Sequence, residues 1–119
     1  MNSRPEGAII VTTPQEVALA TIRKEIDFCR KMNLNIIGIV ENMNGFTCPC
    51  CQTQYPLFSA DGVKQLAKDY GLRYLGSVAI DPRLVDCCEK GANIFQECPD
   101  SPAAMNLLDL AIALQNNFR

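Results

Sequence analysis

The sequence predicts an α/β fold built on a parallel sheet. Two observations carry this. Short, continuously apolar runs recur along the chain, Ala8-Ile9-Ile10-Val11 and Ile36-Ile37-Gly38-Ile39-Val40 among them, as in strands buried between two layers. Between the runs lie stretches of helical periodicity, opened by capping residues and closed by Gly or Asn. Strands alternating with helices imply parallel pairing through right-handed crossovers.

The first strand is Ala8-Ile9-Ile10-Val11-Thr12, apolar enough to be buried on both faces. Thr13-Pro14-Gln15-Glu16 opens a helix. Thr13 supplies a cap, Pro14 suits the first helical position, and Glu16 completes a capping box. That helix runs to about Lys31 with Ala18, Ile22, Ile26 and Cys29 on one face, and Asn33 is its stop. The second strand is Asn35-Ile36-Ile37-Gly38-Ile39-Val40-Glu41, followed by a long loop from about Asn42 to Phe58. Ser59 caps a helix that reaches about Tyr70 and closes at Gly71. Tyr74-Leu75-Gly76-Ser77-Val78-Ala79-Ile80 is the third strand. Asp81-Pro82 starts a short helix through Lys90, ended by Gly91, and Ser101-Pro102 starts a last helix through about Asn116.

A chain of 119 residues suits one domain. Three parallel strands make a narrow sheet with open edges, so the expected architecture is half of a larger sheet. Ligand loops in such sheets lie beyond the carboxyl ends of the strands, and the loops leaving at Thr12, Glu41 and Ile80 share that edge.

Composition narrows the function. A net charge of −2 and the lack of a basic block argue against a nucleic-acid partner. The apolar runs are too short to cross a bilayer. Met1-Asn2-Ser3-Arg4-Pro5-Glu6 has no signal-peptide character, so a cytoplasmic address is expected.

The chain carries seven cysteines and no histidine, so a metal site must use thiolates, carboxylates or outside ligands. Cys48-Pro49-Cys50-Cys51 holds a C-x-x-C pair, Cys48 and Cys51, whose spacing lets two sulfurs converge on one ion. Four readings compete. Zinc wants four protein ligands, and a second C-x-x-C is missing. A [4Fe–4S] cluster also wants four thiolates, which two chains meeting at a two-fold axis would supply. A redox pair would open a helix, whereas the polar Gln52-Thr53-Gln54-Tyr55-Pro56 follows here. The plainest alternative is loop cysteines without a ligand. Cys29 reads as core, the adjacent Cys87 and Cys88 are poorly spaced for chelation, and these with Cys98 read as structural. No G-x-x-x-x-G-K-[ST] phosphate loop occurs: Gly71 and Gly76 have the separation, but Ser77 stands where Lys is needed. Without histidine no Ser/His/Asp constellation is possible.

Four segments resemble one family. They are Gly7-Ala8-Ile9-Ile10-Val11-Thr12-Thr13-Pro14-Gln15-Glu16, Arg23-Lys24-Glu25-Ile26-Asp27-Phe28-Cys29-Arg30-Lys31, Gly38-Ile39-Val40-Glu41-Asn42-Met43-Asn44-Gly45-Phe46-Thr47-Cys48-Pro49 and Leu75-Gly76-Ser77-Val78-Ala79-Ile80-Asp81-Pro82. Together they are similar to the Mrp/Nbp35-type P-loop NTPases, the scaffold ATPases of iron–sulfur cluster assembly, and Phe28-Cys29-Arg30-Lys31 with Pro99-Asp100-Ser101-Pro102-Ala103 looks most like the eukaryotic cytosolic members. The resemblance implies that residues 1–119 are the C-terminal portion of such a domain, about three strands of its parallel sheet with their crossover helices. It implies that Cys48 and Cys51 of two subunits bridge a [4Fe–4S] cluster, with Cys50 in the variable place. It implies that Asn42 meets the base of ATP and that Asp81 and Pro82 line the same pocket. The partners it implies are a second copy or a homologous scaffold NTPase, and apo iron–sulfur proteins as recipients. The family's phosphate loop and magnesium-binding acids have no counterpart in these residues, so the chain alone is expected to be inactive as an ATPase. Ala60-Asp61-Gly62 departs from the paired glycines often found there. The alternative expectation is a metal-free or zinc-stabilised interaction fragment that pairs with a full-length homologue.

Overall fold

The computed structural model describes residues 5–14, 20–47, 54–55 and 62–117. In chain order the elements are β1 (Ala8–Thr12), α1 (Ala20–Lys31), β2 (Ile36–Glu41), β3 (Phe46–Thr47), β4 (Gln54–Tyr55), α2 (Gly62–Asp69), β5 (Tyr74–Ser77), α3 (Pro82–Lys90), α4 (Ile94–Glu97) and α5 (Pro102–Asn117). β1, β2 and β5 form one sheet in the order β1-β2-β5. Both pairings are parallel, with Val11 opposite Val40 and Val40 opposite Gly76. The parallel α/β expectation therefore holds.

Alternation along the strands sends successive side chains to opposite faces. On one face Ile10 and Ile39 meet Ile22 and Ile26 of α1 and Val63, Leu66 and Ala67 of α2. On the other, Val40 joins Val78, which follows β5, and Cys87, Ile94, Ala103, Ala104 and Leu110, supplied by α3, α4 and α5. Gly38 lets β2 and β5 approach: a Cβ there would lie 2.7 Å from the Arg73 carbonyl oxygen.

Three helices end the way their sequence signals indicate. At α1 the Leu34 N–H donates to Cys29 O and Asn33 N–H to Arg30 O, with Asn33 at φ 53°. At α2 the Leu72 N–H donates to Ala67 O around Gly71, and at α3 the Ala92 N–H donates to Cys87 O around Gly91. Each left-handed residue closes a Schellman-type turn that satisfies carbonyls the helix leaves open. The last helix is capped as expected, the Ala104 N–H donating to Ser101 Oγ.

The structure corrects four expectations. β1 is not buried on both faces: Ile9 is 37% and Val11 54% exposed, and among the described residues α5 packs on β5, at the other side of the sheet. The third strand stops at Ser77 rather than Ile80. Beyond it the chain runs beside the turn that follows β2, with Asn44 N–H donating to Val78 O and Ile80 N–H to Gly45 O. The long loop contains a hairpin, in which β3 and β4 pair antiparallel. A short helix, α4, follows the cap Asn93, whose side chain accepts from Phe95 N–H. The expected caps at Glu16 and Ser59 lie outside the described residues, and the buried Thr13 Oγ1 has no hydrogen-bond partner among the described residues.

Candidate functional site

β2 delivers the chain to the carboxyl edge of the sheet. Its last residue, Glu41, is only 5% exposed and lies between β1 and β5. A tight turn follows, with Met43 at φ 56° and Gly45 at φ 75°. Glycine is the residue for such a left-handed backbone, and at Met43 the cost is met by local bonds. The Asn42 N–H donates to Thr12 O at 2.7 Å, and Asn42 Oδ1 accepts from Met43 N–H at 2.9 Å.

This turn forms part of the wall of a cavity of about 430 Å³, lined by Asn42, Met43, Ala79, Ile80, Asp81, Leu84, Val85, Cys88 and Glu89. Its size and largely apolar walls, with one amide (Asn42) and two carboxylates (Asp81 and Glu89) in the lining, suit a partly polar small-molecule group. The structure thus brings Asn42 and Asp81 to one cavity. Pro82 takes the first position of α3, exposed, and is not part of the lining.

Asp81 is 7% exposed and its carboxylate is engaged within the protein. Oδ1 accepts from Arg83 N–H at 3.0 Å and from Arg83 Nε at 3.4 Å, and Oδ2 accepts from the Ser101 hydroxyl. Burial pushes its pKa up, but the Ser101 hydroxyl, the Arg83 N–H and the Arg83 guanidinium together outweigh that and hold it below the ordinary carboxylate value. Asp81 caps α3 and ties it to the start of α5. Its side chain holds the cavity wall in place and has little left for a ligand.

The same turn leads straight into β3. β3 and β4 pair Phe46 with Tyr55 and Thr47 with Gln54. Residues 48–53, Cys-Pro-Cys-Cys-Gln-Thr, are what joins the two strands. Cys48 and Cys51 themselves lie outside the described residues. Among the described residues no cluster of His, Cys, Asp and Glu could hold a metal ion. Cys29 is buried on α1 and Cys87 in the second core, and both act as small apolar side chains. Burial pushes the Cys87 thiol pKa up, and nearby Cys98 and Glu97 add to that, so it stays protonated.

Residue-by-residue reading missed the carboxylate at the base of the turn. Glu41 Oε1 accepts from Tyr74 Oη at 2.7 Å and from Asn44 Nδ2 at 3.1 Å. Burial first, and then the bond to Glu41, pushes the Tyr74 pKa up to about 12. The signal was present: an acid ends an otherwise apolar strand, and such a buried acid needs donors.

The ParA family, described as NUBPL iron-transfer P-loop NTPase, matches residues 1–115. The chain is 50% identical over 116 residues to the cytosolic Fe-S cluster assembly factor NBP35 of Kluyveromyces lactis, covering 96% of this chain and 36% of that protein. To the factor of the same name in Eremothecium gossypii it is 44% identical over 113 residues, covering 93% and 34%. The chain thus spans about a third of the length of these curated relatives. Among solved structures it is similar to the nucleotide-binding protein from Archaeoglobus fulgidus in complex with ADP, with Co found by PIXE. That match has a TM-score of 0.65 and 35% identity, over 73% of this chain and 36% of that one.

Proposed function

We propose, from the premise that the chain belongs to the ParA family of NUBPL iron-transfer P-loop NTPases, that it acts in cytosolic iron–sulfur cluster assembly as part of a dimeric scaffold. The carrying observation is the hairpin. One turn leaves β2, borders the apolar cavity through Asn42, and enters the β3–β4 pair that brackets Cys48, Cys50 and Cys51. The strands that bracket the cysteines and the small-molecule cavity are thus reached from one turn at the carboxyl edge of the sheet, where α/β proteins place their ligands.

The donor set fits a cluster held as cargo. A [4Fe–4S] cluster takes four thiolates, and Cys48 and Cys51 give two per chain, so two chains complete the set. The second chain is another copy or a homologous scaffold NTPase, and the recipients are apo iron–sulfur proteins. The cavity beside Asn42 takes the base of ATP, its apolar walls packing the ring and the Asn42 amide giving polar contact. The phosphate loop that would hold the triphosphate is not within these 119 residues. The names of the relatives support a cytosolic setting, and none of the described helices is long and apolar enough to cross a membrane.

The test is anaerobic reconstitution of four proteins: wild type, Cys48→Ala, Cys51→Ala and Cys50→Ala. Wild type should hold about two iron and two sulfide per chain. Replacing Cys48 or Cys51 removes two of the four ligands from a dimer, so cluster and dimer should both be lost. The Cys50 variant should keep most of its iron. Equal loss in the Cys50 variant would overturn the ligand assignment.

A second reading rests on the bare edge of β1, where Ile9, Val11 and Phe28 are exposed beside a groove of about 640 Å³. On that reading the chain is an interaction piece that docks on a full-length homologue, metal-free or steadied by zinc. Colourless protein after reconstitution that still co-purifies with the homologue would favour it.

A further inference from the structure

We infer that Glu41 is a positioning residue: its buried carboxylate straps the 42–45 turn to the sheet, and so sets the placement of both Asn42 and the cysteine-bearing hairpin. The inference rests on the functional reading above only for what the hairpin carries.

The geometry is specific. Oε1 of Glu41 takes two donors from different elements, Tyr74 Oη of β5 at 2.7 Å and Asn44 Nδ2 of the turn at 3.1 Å. The first anchors the carboxylate to the neighbouring strand, and the second ties the turn to that anchor. The backbone closes around the same point. Val78 N–H donates to Glu41 O at 2.8 Å, Asn44 N–H to Val78 O at 3.0 Å and Ile80 N–H to Gly45 O at 2.9 Å. A carboxylate this buried is kept only with strong partners, because an unsatisfied buried acid is costly. Here the partners are the two elements that must keep a fixed relation if cavity and hairpin are to stay in register. Asn42 precedes the strapped residue Asn44 by two positions, and β3 begins two positions after it. A tether at Asn44 therefore acts on both through a very short stretch of chain.

Three variants test this in the 119-residue chain: Asn44→Ala, Glu41→Ala and Glu41→Gln. Asn44 is exposed, so its variant leaves the core intact even if Glu41→Ala does not fold. Amide hydrogen exchange is read at Asn42, Asn44 and Ile80, with the α1 amides as internal control. In Asn44→Ala the turn amides should exchange roughly fivefold faster, the factor that one net hydrogen bond carries, while α1 stays unchanged. Glu41→Gln keeps an oxygen for both donors and should stay near wild type. Unchanged exchange in Asn44→Ala would overturn the strap. Iron retention after reconstitution is the second readout, and Asn44→Ala should lose iron faster than wild type at an unchanged melting temperature. Faster exchange with wild-type iron retention would overturn the positioning role. If wild type itself holds no iron, the cluster reading and the hairpin half of this inference fall together, and the exchange data alone decide whether the strap exists.

Discussion

Asp81 shows how one residue can border a cavity and at the same time hold its wall in place. Its place before Pro82 announces a helix start, and the structure makes it the cap of α3. The resemblance added a place beside a nucleotide base. Asp81 borders the cavity beside Asn42, and its oxygens are already taken by Arg83 and Ser101. Only the fold could show this, because Ser101 lies twenty residues away. Asp81→Ala should therefore cost about 2–4 kcal/mol, a lost cap plus a buried hydroxyl left without its charged acceptor. The pH dependence has a definite sign. The folded pKa lies below the ordinary 3.8, so the contribution is fully present above that value and is lost as pH falls through the folded pKa. Urea melts of wild type and variant should differ most near neutrality and converge in acid. A gap that widened on acidification would contradict the assignment.

At the scale of elements, what the sequence disclosed was local. Asn33, Gly71 and Gly91 marked three helix ends because left-handed closure is a property of single residues. The apolar runs marked β1 and β2 as strands, although only β2 is flanked by strands on both sides and β1 leaves Ile9 and Val11 exposed. Pairings remote in sequence stayed hidden. β3 and β4 are two residues each, too short for any period, and six residues separate them. α4 is a single turn whose signal is one Asn cap. The exposure of Val11 depends on which helix covers which strand, a matter of topology rather than pattern. Gly38 belongs with the legible features only in hindsight. It sits in an apolar strand, where glycine weakens the strand unless another backbone comes close, and the Arg73 carbonyl does so. Gly38→Ala should push β2 from β5 and cost about 1–3 kcal/mol, read as a lower denaturation midpoint at unchanged slope. A neutral result would mean that β5 can move aside freely.

For the whole molecule, two surfaces govern behaviour. At the carboxyl edge, the cavity beside Asn42, proposed above as the seat of a base, is not accompanied by a phosphate loop within these 119 residues, and the backbone amides and lysine of such a loop supply most of the hold on a triphosphate. The 119-residue chain should therefore bind ATP weakly or not at all by calorimetry and release no phosphate above a protein-free control. Micromolar affinity would show that the cavity residues alone suffice. At the lateral edge, β1 pairs with β2 on one side, and no described strand covers the other. Its backbone donors and acceptors there, with Ile9, Val11 and Phe28 exposed nearby, make a template for another strand. The chain should self-associate with rising concentration through this edge. Val11→Lys tests this cleanly, because Val11 is 54% exposed and its replacement leaves both cores untouched. A charge on an open strand disfavours strand addition, so the variant should sediment as a smaller species than wild type at equal concentration, with its melting temperature within a few degrees. If the Val11→Lys chain associates as strongly as wild type, the contact lies elsewhere, and the cysteine hairpin is the next surface to test by the same experiment on Cys48→Ala. If wild type is a monodisperse monomer with a sharp melt at every concentration, the open edge does not drive association at all.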